Sequence, residues 1–390
     1  MRRGIHPRPT SNGMKFNFKN LEASDVSAKK VLLRLDLNVP IAGGKVLDDY
    51  RITRSLRTIK FLEKQGAKTL IVSHIERDGT DSLKIVAEYL KKIIAVDFVS
   101  TISEARKKMA ELKSGNFILF ENIRQFPGET ANDKSFAKEL ASLSEMYVNE
   151  AFSVSHRNHA SIVGVPKFLP SVAGFLFADE IFHLSKAFNP DRPFIFLLAG
   201  AKFDTKFPLA EKFLKLADKV FIGGALANDL FKAKGYEIGR SKHSETDFGF
   251  TEILHNPKLI LPEDVVTENA GKKVTKKATE VIPNDGIFDA GERTVTMLAN
   301  KFVSSKFILW NGTLGDYEKG FSQGTEALAK AITESGVESI VGGGDTLACI
   351  SKLNILDKFS FVSTGGGAML EFLANETLPG IDALNKTFSV

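Results

Sequence analysis

The chain has 390 residues, 43% of them hydrophobic and 25% charged, which is typical of a globular protein with two or three domains. Its longest apolar run, at 194–201, is far shorter than the ~18 residues that a membrane helix needs, and the single cysteine, Cys349, excludes an intrachain disulfide framework and a cysteine-based zinc cluster. The net charge of +5 is too small to indicate nucleic-acid binding by itself but is compatible with small anionic substrates. Because a single cysteine suits a reducing compartment, we expect a cytoplasmic protein, and we expect it to bind neither nucleic acid nor membrane.

Residues 1–13 are basic and rich in turn-forming residues but contain no apolar stretch. We expect a disordered extension here, native or introduced by cloning, rather than a secretory signal. From residue 14 onward, continuously apolar runs alternate with amphipathic stretches, which is typical of parallel strands covered on both faces by helices. In the first half, strands are predicted at 31–35, 69–72, 116–120 and 146–148, and helices at 53–65 and 135–144.

The second half repeats this alternation after a helical pattern at 171–187 and a break at 188–193. Its predicted strands are 194–198, 220–222, 307–310, 339–341 and 359–362, and its polar segment 237–300 is expected to be an irregular decoration. The predicted fold class is therefore α/β, with two Rossmann-like lobes, each a parallel sheet flanked by helices, joined by a hinge helix. The predicted boundaries are 14–170 for the first domain, 171–187 for the hinge helix, 188–378 for the second domain and 379–390 for a C-terminal tail.

Three glycine clusters follow predicted strands of the second half, at 223–224, 342–346 and 363–368. The last two each precede a helical pattern, and a glycine turn that leads into a helix presents backbone N–H groups to a phosphate. One such cluster is as readily a plain tight turn, whereas three in one lobe favour phosphate binding. The chain lacks both a Walker A loop and the Gly-x-Gly-x-x-Gly fingerprint of dinucleotide-binding proteins.

The predicted strand ends of the first half carry cationic and amide side chains instead. The set includes Arg34, Asp36, Asn38, Arg51, His74, Arg77, Arg124 and Arg157. Each of these residues alone is more often a solvated or salt-bridged surface group, but together they suit a phosphorylated and carboxylated small molecule. No zinc-protease or serine-hydrolase motif occurs. One lobe for a nucleotide and one for an anion indicate a phosphotransferase that closes about a hinge.

Nine motifs, in order and spacing, resemble those of the phosphoglycerate kinase family. They occupy 34–40, 49–52, 121–124, 149–152, 156–161, 199–202 with Lys206, 310–312, 342–346 and 363–372. The resemblance extends from about residue 14 to the C-terminus. It implies reversible phosphoryl transfer from 1,3-bisphosphoglycerate to MgADP, which gives 3-phosphoglycerate and ATP in glycolysis, and a chain end that returns to the first lobe.

The resemblance also implies roles for individual residues. The residues expected to bind the triose are Asp36, Asn38, Arg51, His74, Arg77, Arg124 and Arg157. Those expected around the nucleotide are Gly200, Lys202, Lys206, Gly224, Asn311, Glu318, Gly344, Asp345 and Thr346. Asp345 is expected to hold Mg²⁺, and Arg51, Lys206, Gly343 and Gly366 are expected to lie around the transferring phosphoryl group.

The chain departs from the family pattern at Glu76, Asp78, Thr205, Ala225 and Thr313. We interpret these departures as changes in affinity or rate. Two alternatives are a binding or scaffold protein that uses the same fold without catalysis, and a nucleic-acid-binding protein suggested by the pI of about 9.0. The second would depend on the lysines at 272–273 and 276–277, which we expect in a solvated loop. Nothing in the sequence demands an interface, so a monomer is expected.

Overall fold

The computed structural model describes residue 16, residues 18–76 and residues 80–386 without the side chain of Lys386. The predicted N-terminal extension, the Arg77–Asp78 pair and the last four residues lie outside the described residues. Contacts divide the chain into two compact units. The first unit comprises the described residues up to Phe182 together with those from Asn375 onward, and the second unit comprises His183–Ala374. Within the described residues, no helix has the length and hydropathy required to span a membrane.

The first unit is built on a parallel sheet. Its strands are β1 (Lys30–Arg34), β2 (Ile41–Ala42), β3 (Lys45–Val46), β4 (Lys68–Val72), β5 (Val96–Val99), β6 (Phe117–Phe120), β7 (Met146–Asn149) and β8 (Ser171–Ala173). All except β2 and β3, which form an antiparallel pair, belong to one six-stranded sheet in the order β5-β6-β4-β1-β7-β8. The central strands are buried on both faces, so their apolar runs predicted them well.

Helices cover this sheet. They are α1 (Tyr50–Lys64), α2 (Lys84–Leu90), α3 (Ile102–Glu111), α4 (Pro127–Thr130), α5 (Lys134–Ala141) and α6 (Phe175–Ser185). Helix α1 buries Ile52, Ile59 and Leu62 against the core that β1 and β4 line. Helix α3 begins with a capping box, in which Thr101 and Glu104 satisfy each other's backbone N–H groups.

The second unit contains a second parallel sheet. Its strands are β9 (Phe194–Leu198), β10 (Lys219–Ile222), β11 (Leu259–Ile260), β12 (Asp264–Asn269), β13 (Lys272–Lys277), β14 (Gly286–Ala290), β15 (Phe307–Asn311), β16 (Glu338–Gly342) and β17 (Phe361–Ser363). The parallel sheet has the order β11-β10-β9-β15-β16-β17, and β13-β12-β14 form a separate three-stranded antiparallel sheet. The predicted α/β fold class, with a parallel sheet in each half, is thus confirmed.

The helices of the second unit follow the strands in chain order. They are α7 (Phe203–Leu216), α8 (Ala225–Ala233), α9 (Phe250–Leu254), α10 (Glu292–Phe302), α11 (Gln323–Glu334), α12 (Gly344–Ser351) and α13 (Gly367–Asn375). The last helix, α14 (Pro379–Lys386), packs in the first unit. Its Gly380 N–H donates to the carbonyl oxygen of Ser155 at 2.8 Å, and its Ile381 and Leu384 are fully buried.

Three expectations about elements are wrong. Residues 171–173 form strand β8 rather than the start of a helix, because this short buried segment pairs with β7 and the helix begins only after Gly174. The segment 237–300 is not irregular, since it contains β12, β13, β14 and α10. The lysine-rich residues 272–277 form an edge strand and not a loop, and lysines on an edge strand oppose pairing with another chain.

Candidate active site

The first-unit candidates gather at one edge of the sheet. Asp36 and Asn38 follow β1, His74 follows β4 and Arg124 follows β6. Because β1, β4 and β6 are consecutive neighbours in a parallel sheet, their carboxyl ends lie along the same edge. This is where open α/β sheets bind ligands. Arg51 reaches the same edge from the first turn of α1, where its guanidinium forms an ion pair with Asp36.

Asp36 is the anionic centre of this edge. Its carboxylate accepts hydrogen bonds from Arg51 and from the hydroxyl of Ser153, and the backbone N–H of Asn38 donates to it at 3.1 Å. Burial opposes ionisation, but the charge of Arg51, the interaction with His74 and these hydrogen bonds together hold the pKa of Asp36 well below its usual value. Asp36 therefore stays ionised and orients Arg51.

His74 is buried and neutral. Burial lowers its pKa well below the usual value, and the charges of Arg34, Arg124 and Arg51 act in the same direction against the opposing effect of Asp36. A neutral imidazole has one donor and one acceptor nitrogen, so it can hydrogen-bond an anionic oxygen without adding charge.

Guanidinium groups crowd together beside His74. Burial lowers the pKa of Arg124, and the like charges of Arg34 and Arg157 lower it further. The neighbouring His156 and His159 have their pKa values lowered to about 4, first by burial and then by these arginines. Repulsion of this kind is relieved when an anion binds, so the arrangement is that of an anion site.

The loop after β4 already occupies part of this edge. The side-chain amide oxygen of Asn38 accepts from the N–H of Glu76 at 3.1 Å, and the Arg124 guanidinium donates to the backbone carbonyl oxygen of Glu76 at 2.6 Å. Glu76 itself has a positive φ of 53° and an exposed side chain. Its departure from the family pattern therefore adds no buried charge here, whereas the predicted site residue Arg77 lies outside the described residues.

The second-unit candidates gather at the carboxyl edge of the other sheet. Gly200 follows β9, Gly224 follows β10, Gly312 follows β15, Gly343 follows β16 and Gly366 follows β17. All five have positive φ values. A Cβ at Gly312 would lie 1.9 Å from the carbonyl oxygen of Ala199, and one at Gly224 would lie 2.5 Å from the nitrogen of Gly200. The glycines thus permit close backbone approach between adjacent strand ends.

Lys206 is the most perturbed group of this edge. It is nearly fully buried in α7, and its ammonium donates to the carbonyl oxygen of Ala199. Burial and the charge of exposed Lys202 lower its pKa to about 7, with Asp345 acting in the opposite direction. The charges of Lys202 and Asp345 thus both act on the ammonium of Lys206.

The remaining candidate residues of the second unit differ in burial and in which of their polar groups are already hydrogen-bonded. Thr346 is fully buried, and its hydroxyl accepts a hydrogen bond from the N–H of Gly312 at 2.9 Å. Its hydroxyl is therefore already engaged, and the group of Thr346 that suits an anionic ligand is its backbone N–H in the first turn of α12. Asn311 is also buried and donates to the carbonyl oxygen of Gly342 at 3.1 Å. Gly344 has open space around it, and Glu318 is exposed on a short 3₁₀ helix beside Tyr317, which interacts with Asp345.

Asp345 is the candidate metal ligand. No cluster of three or more acidic, histidine or cysteine side chains suited to a metal occurs among the described residues. A lone carboxylate in the first turn of α12, close to lysines, fits Mg²⁺, which is usually held by one or two carboxylates, substrate phosphates and water rather than by an all-protein cage. The residues present therefore fit a metal that arrives with a nucleotide.

Two buried residues behind the first-unit edge, Glu129 and Ser161, carry no signal of their role in the sequence. Glu129 in α4 is fully buried and accepts hydrogen bonds from the backbone and the hydroxyl of Ser161, at 2.8 and 2.6 Å. They are 32 positions apart, so no local pattern could have paired them. Glu129 follows a Pro-Gly turn that resembles an ordinary loop in sequence.

The comparisons with known proteins agree with one another. The family model described as phosphoglycerate kinase matches residues 21–376. The chain is 40% identical over 385 residues to the phosphoglycerate kinase of Fervidobacterium nodosum, covering 92% of this chain and 96% of that protein. It is 38% identical over 397 residues to that of a Wolbachia species, covering 95% and 99%.

Solved structures give the same result. A phosphoglycerate kinase structure from Coxiella burnetii matches with a TM-score of 0.83 and 37% identity, covering 95% of this chain and 98% of that chain. One from Pyrococcus horikoshii matches with a TM-score of 0.85 and 32% identity, covering 95% and 99%. The similarity thus extends over both units.

Proposed function

The chain belongs to the phosphoglycerate kinase family, phosphotransferases that act in glycolysis on a carboxyl acceptor, and from that premise we propose how its residues divide the reaction. The first unit binds 3-phosphoglycerate or 1,3-bisphosphoglycerate, and the second unit binds MgATP or MgADP. The support is chemical: one sheet edge is rich in guanidinium groups and the other in backbone N–H groups and lysines.

For the triose, Arg124 and Arg157 bind the phosphate, and Asp36, Asn38 and His74 bind the hydroxyl and carboxyl oxygens. Arg124 and Arg157 repel each other in the absence of an anion, which makes them suited to a dianionic group. Arg51 is held by Asp36 and is only half-buried, so it can turn toward the group in transfer. Arg77 is proposed for the same site on the strength of its motif alone.

For the nucleotide, Lys202, Lys206 and the first N–H groups of α12 and α13 bind the phosphates. The first amide groups of a helix have no acceptor within that helix and carry partial positive charge, which suits anionic oxygens. Gly343 and Gly366 shape the two turns that lead into these helices. Gly200, Gly224, Asn311 and Glu318 are proposed to surround the adenosine.

Mg²⁺ is proposed to be held by Asp345 together with the nucleotide phosphates. When bound, the ion neutralises part of the charge that develops on the transferred group. The chain's own contribution at this position is one carboxylate, whose charge interacts with the ammonium group of Lys206.

The chemistry needs positioning and charge stabilisation more than proton transfer. In the direction of ATP consumption the nucleophile is a carboxylate, which is already ionised at neutral pH, so no general base is required. Arg51, Lys206 and the helix N-termini supply positive charge for the three equatorial oxygens of the migrating group. Direct transfer also requires the reacting oxygens to be in line, and the hinge closure expected from the sequence is proposed to achieve this.

The observation that carries the proposal is the Arg51–Asp36 ion pair at the anion-binding edge of the first sheet. Arg51→Ala is expected to lower kcat by about 10²–10³-fold, the usual effect of removing one transition-state donor. A coupled assay with 3-phosphoglycerate and MgATP measures this, and a urea titration measures the smaller change in stability.

The matched control is Arg106→Ala, which removes an exposed arginine of α3 that donates to the Ser142 hydroxyl. It is expected to keep the turnover of the unaltered chain. Near-normal turnover of Arg51→Ala would refute the role of Arg51, and absence of turnover in the unaltered chain would refute the proposed function itself.

Two broader statements are also proposals. We infer a monomer, because each proposed binding site is assembled from this chain's own residues, and sedimentation equilibrium tests it. We infer a cytoplasmic location, because a single buried cysteine suits a reducing compartment, and fractionation of the source cells tests it.

A further inference from the structure

Ser161 links two groups of opposite charge inside the first unit. It lies fully buried in the π-helical turn Ala160–Gly164. Its hydroxyl accepts from Nε of Arg34 at 2.8 Å and donates to Oε1 of Glu129 at 2.6 Å. Because a guanidinium can only donate, the Ser161 hydroxyl is the acceptor toward Arg34, and its own single proton is directed at Glu129.

The guanidinium of Arg34 also contacts His74. Nη2 of Arg34 lies 3.4 Å from Nδ1 of His74, and both side chains are buried. Since the guanidinium is the donor, Nδ1 must be the acceptor. A neutral imidazole whose Nδ1 accepts carries its proton on Nε2, so the nitrogen that remains for a ligand is a donor.

The geometry points to a positioning role for Glu129 and Ser161, an inference that rests on the proposed function. Acting through Arg34, they hold His74 as the Nε2–H tautomer, so that it donates to an anionic oxygen of the triose substrate. Glu129, Ser161, Arg34 and His74 thus form a buried chain of hydrogen bonds that ends at the binding edge. Neither Glu129 nor Ser161 is placed in contact with substrate.

Charge and tethering support this role. Arg34 is completely buried beside Arg124. Burial raises the pKa of Glu129, but the charge of Arg34 and the hydrogen bonds from Ser161 act in the opposite direction and favour the carboxylate that balances Arg34. Ser161 is fixed independently of its own hydroxyl, because its N–H donates to Oε2 of Glu129 and its carbonyl oxygen accepts from the Tyr147 hydroxyl, both at 2.8 Å. Removing the hydroxyl therefore leaves the turn tethered and takes away only the acceptor of Nε, while Nη1 of Arg34 still donates to the carbonyl oxygen of Leu35.

The first test is spectroscopic. Imidazole ¹⁵N resonances of the full-length protein at pH 8, where neutral rings dominate, report the tautomer of each of its seven histidines, and loss of one signal in His74→Asn assigns His74. The unaltered protein is expected to show the Nε2–H form, and Ser161→Ala is expected to show a mixture of both forms. An Nδ1–H form in the unaltered protein, or an unchanged spectrum in Ser161→Ala, overturns the proposal.

The second test is kinetic. Ser161→Ala leaves the buried Nε of Arg34 without its acceptor, and we expect the KM for 3-phosphoglycerate to rise about tenfold while the KM for MgATP changes less than about twofold. The matched control is Ser171→Ala, another fully buried serine of the same unit, whose hydroxyl donates only to the carbonyl oxygen of Leu169. An equal change in both KM values, or the same change in the control, would mean a structural role only.

Glu129→Gln is the second variant if Ser161→Ala does not fold, as judged by circular dichroism. It keeps the shape of the side chain but removes the charge, and the same tautomer mixture and selective rise in KM are expected. The outcome is separable from the proposed function: an active enzyme whose His74 is Nδ1–H refutes the positioning role alone. An inactive protein with Nε2–H on His74 refutes the function, and with it any effect on catalysis.

Discussion

At the scale of single residues, Lys206 combines burial with the charge that the proposed phosphoryl transfer would use. Burial and Lys202 lower its pKa to about 7, while an unfolded chain would keep a lysine protonated to about 10.5. Between these values the unfolded chain binds more protons than the folded chain, so this group makes stability rise with pH from about 7 to 10.5. Below pH 7 both forms are charged, and the folded state bears the full cost of burial.

Binding of nucleotide phosphates is expected to reverse this cost. Their negative charge is expected to raise the pKa of Lys206, so that above pH 7 nucleotide binding is accompanied by proton uptake, which approaches one proton per nucleotide at pH 8. Because a proton must be taken up, the affinity for the nucleotide is expected to weaken by up to about tenfold for each unit of increase in pH above 7. Calorimetric titration with MgATP in two buffers of different ionisation enthalpy measures this uptake.

Lys206→Arg is the control for that titration, because a guanidinium stays protonated over the whole range. It is expected to bind with no proton uptake from this position. Equal uptake in the variant and the unaltered chain, or none in either at pH 8, would show that Lys206 is not the group that titrates.

The sequence could suggest candidate residues where one strand end was enough, but not where two distant segments meet. Asp36 and His74 come directly after the apolar strands β1 and β4, so those strands placed them at a sheet edge, whereas Lys206 in α7 became a candidate only through the family resemblance. Glu129 and Ser161 lie on different elements and are joined only by the packing of α4 against the π-helical turn. Such a contact depends on tertiary structure, which periodicity does not encode.

At the scale of elements, the start of helix α6 depends on one buried acid. Glu150 accepts from the N–H groups of Leu176 and Phe177 in the first turn of that helix and from the Thr58 hydroxyl. Burial raises its pKa to about 8, against the effect of these hydrogen bonds. A Cβ at Gly174 would lie 1.9 Å from its carboxylate, so only glycine allows this approach.

Glu150→Gln is expected to change the pH dependence of stability. The folded chain keeps the Glu150 proton between pH 4.5 and 8, where an unfolded chain releases it, so this group lowers stability as pH rises through that range. The variant removes this contribution, and its stability relative to the unaltered chain should rise by up to about 1.4 kcal/mol per pH unit.

Urea titrations at pH 5, 6, 7 and 8 measure the difference. Lys108→Met is a suitable comparison, because it breaks an exposed ion pair with Asp97 at 2.8 Å that contributes little to stability. A difference between Glu150→Gln and the unaltered chain that is constant with pH would contradict the titration of Glu150.

Elements were predictable where burial was continuous and not where it alternated. Strand β9 is buried at every position, and its predicted bounds, 194–198, are confirmed. Strand β5 at the sheet edge buries Val96 and Val99 but exposes Asp97, and its four residues are too few for a clear pattern. Strand β13 is almost wholly exposed and lysine-rich, so only its ladder with β12 makes it a strand.

At the scale of the whole molecule, the first unit contains two segments that are far apart in sequence, one from the N-terminal half of the chain and one from its C-terminal end. The second unit is continuous in sequence, whereas the first needs α14, which returns after residue 375. Leu384 of α14 is fully buried, and the neighbouring Ala383 packs against Ala151, Val154, Ile162 and Val163. Part of that cluster belongs to the turn that contains Ser161, so the C-terminal helix supports the proposed triose site.

Leu384→Ala and Leu373→Ala form a matched pair that tests this division. Both leucines are fully buried in C-terminal helices, but Leu384 belongs to the first unit and Leu373, in α13, to the second. Each substitution is expected to cost about 2–5 kcal/mol, and the loss should appear in its own unit.

Thermal unfolding with and without each substrate identifies that unit, because a ligand stabilises only the unit that binds it. Leu384→Ala should lower the transition that 3-phosphoglycerate raises, and Leu373→Ala should lower the one that MgATP raises. If both substitutions lowered the same transition equally, the two units would unfold as one, and the return of the chain end would stabilise the entire molecule rather than the first unit, which is proposed to bind the triose.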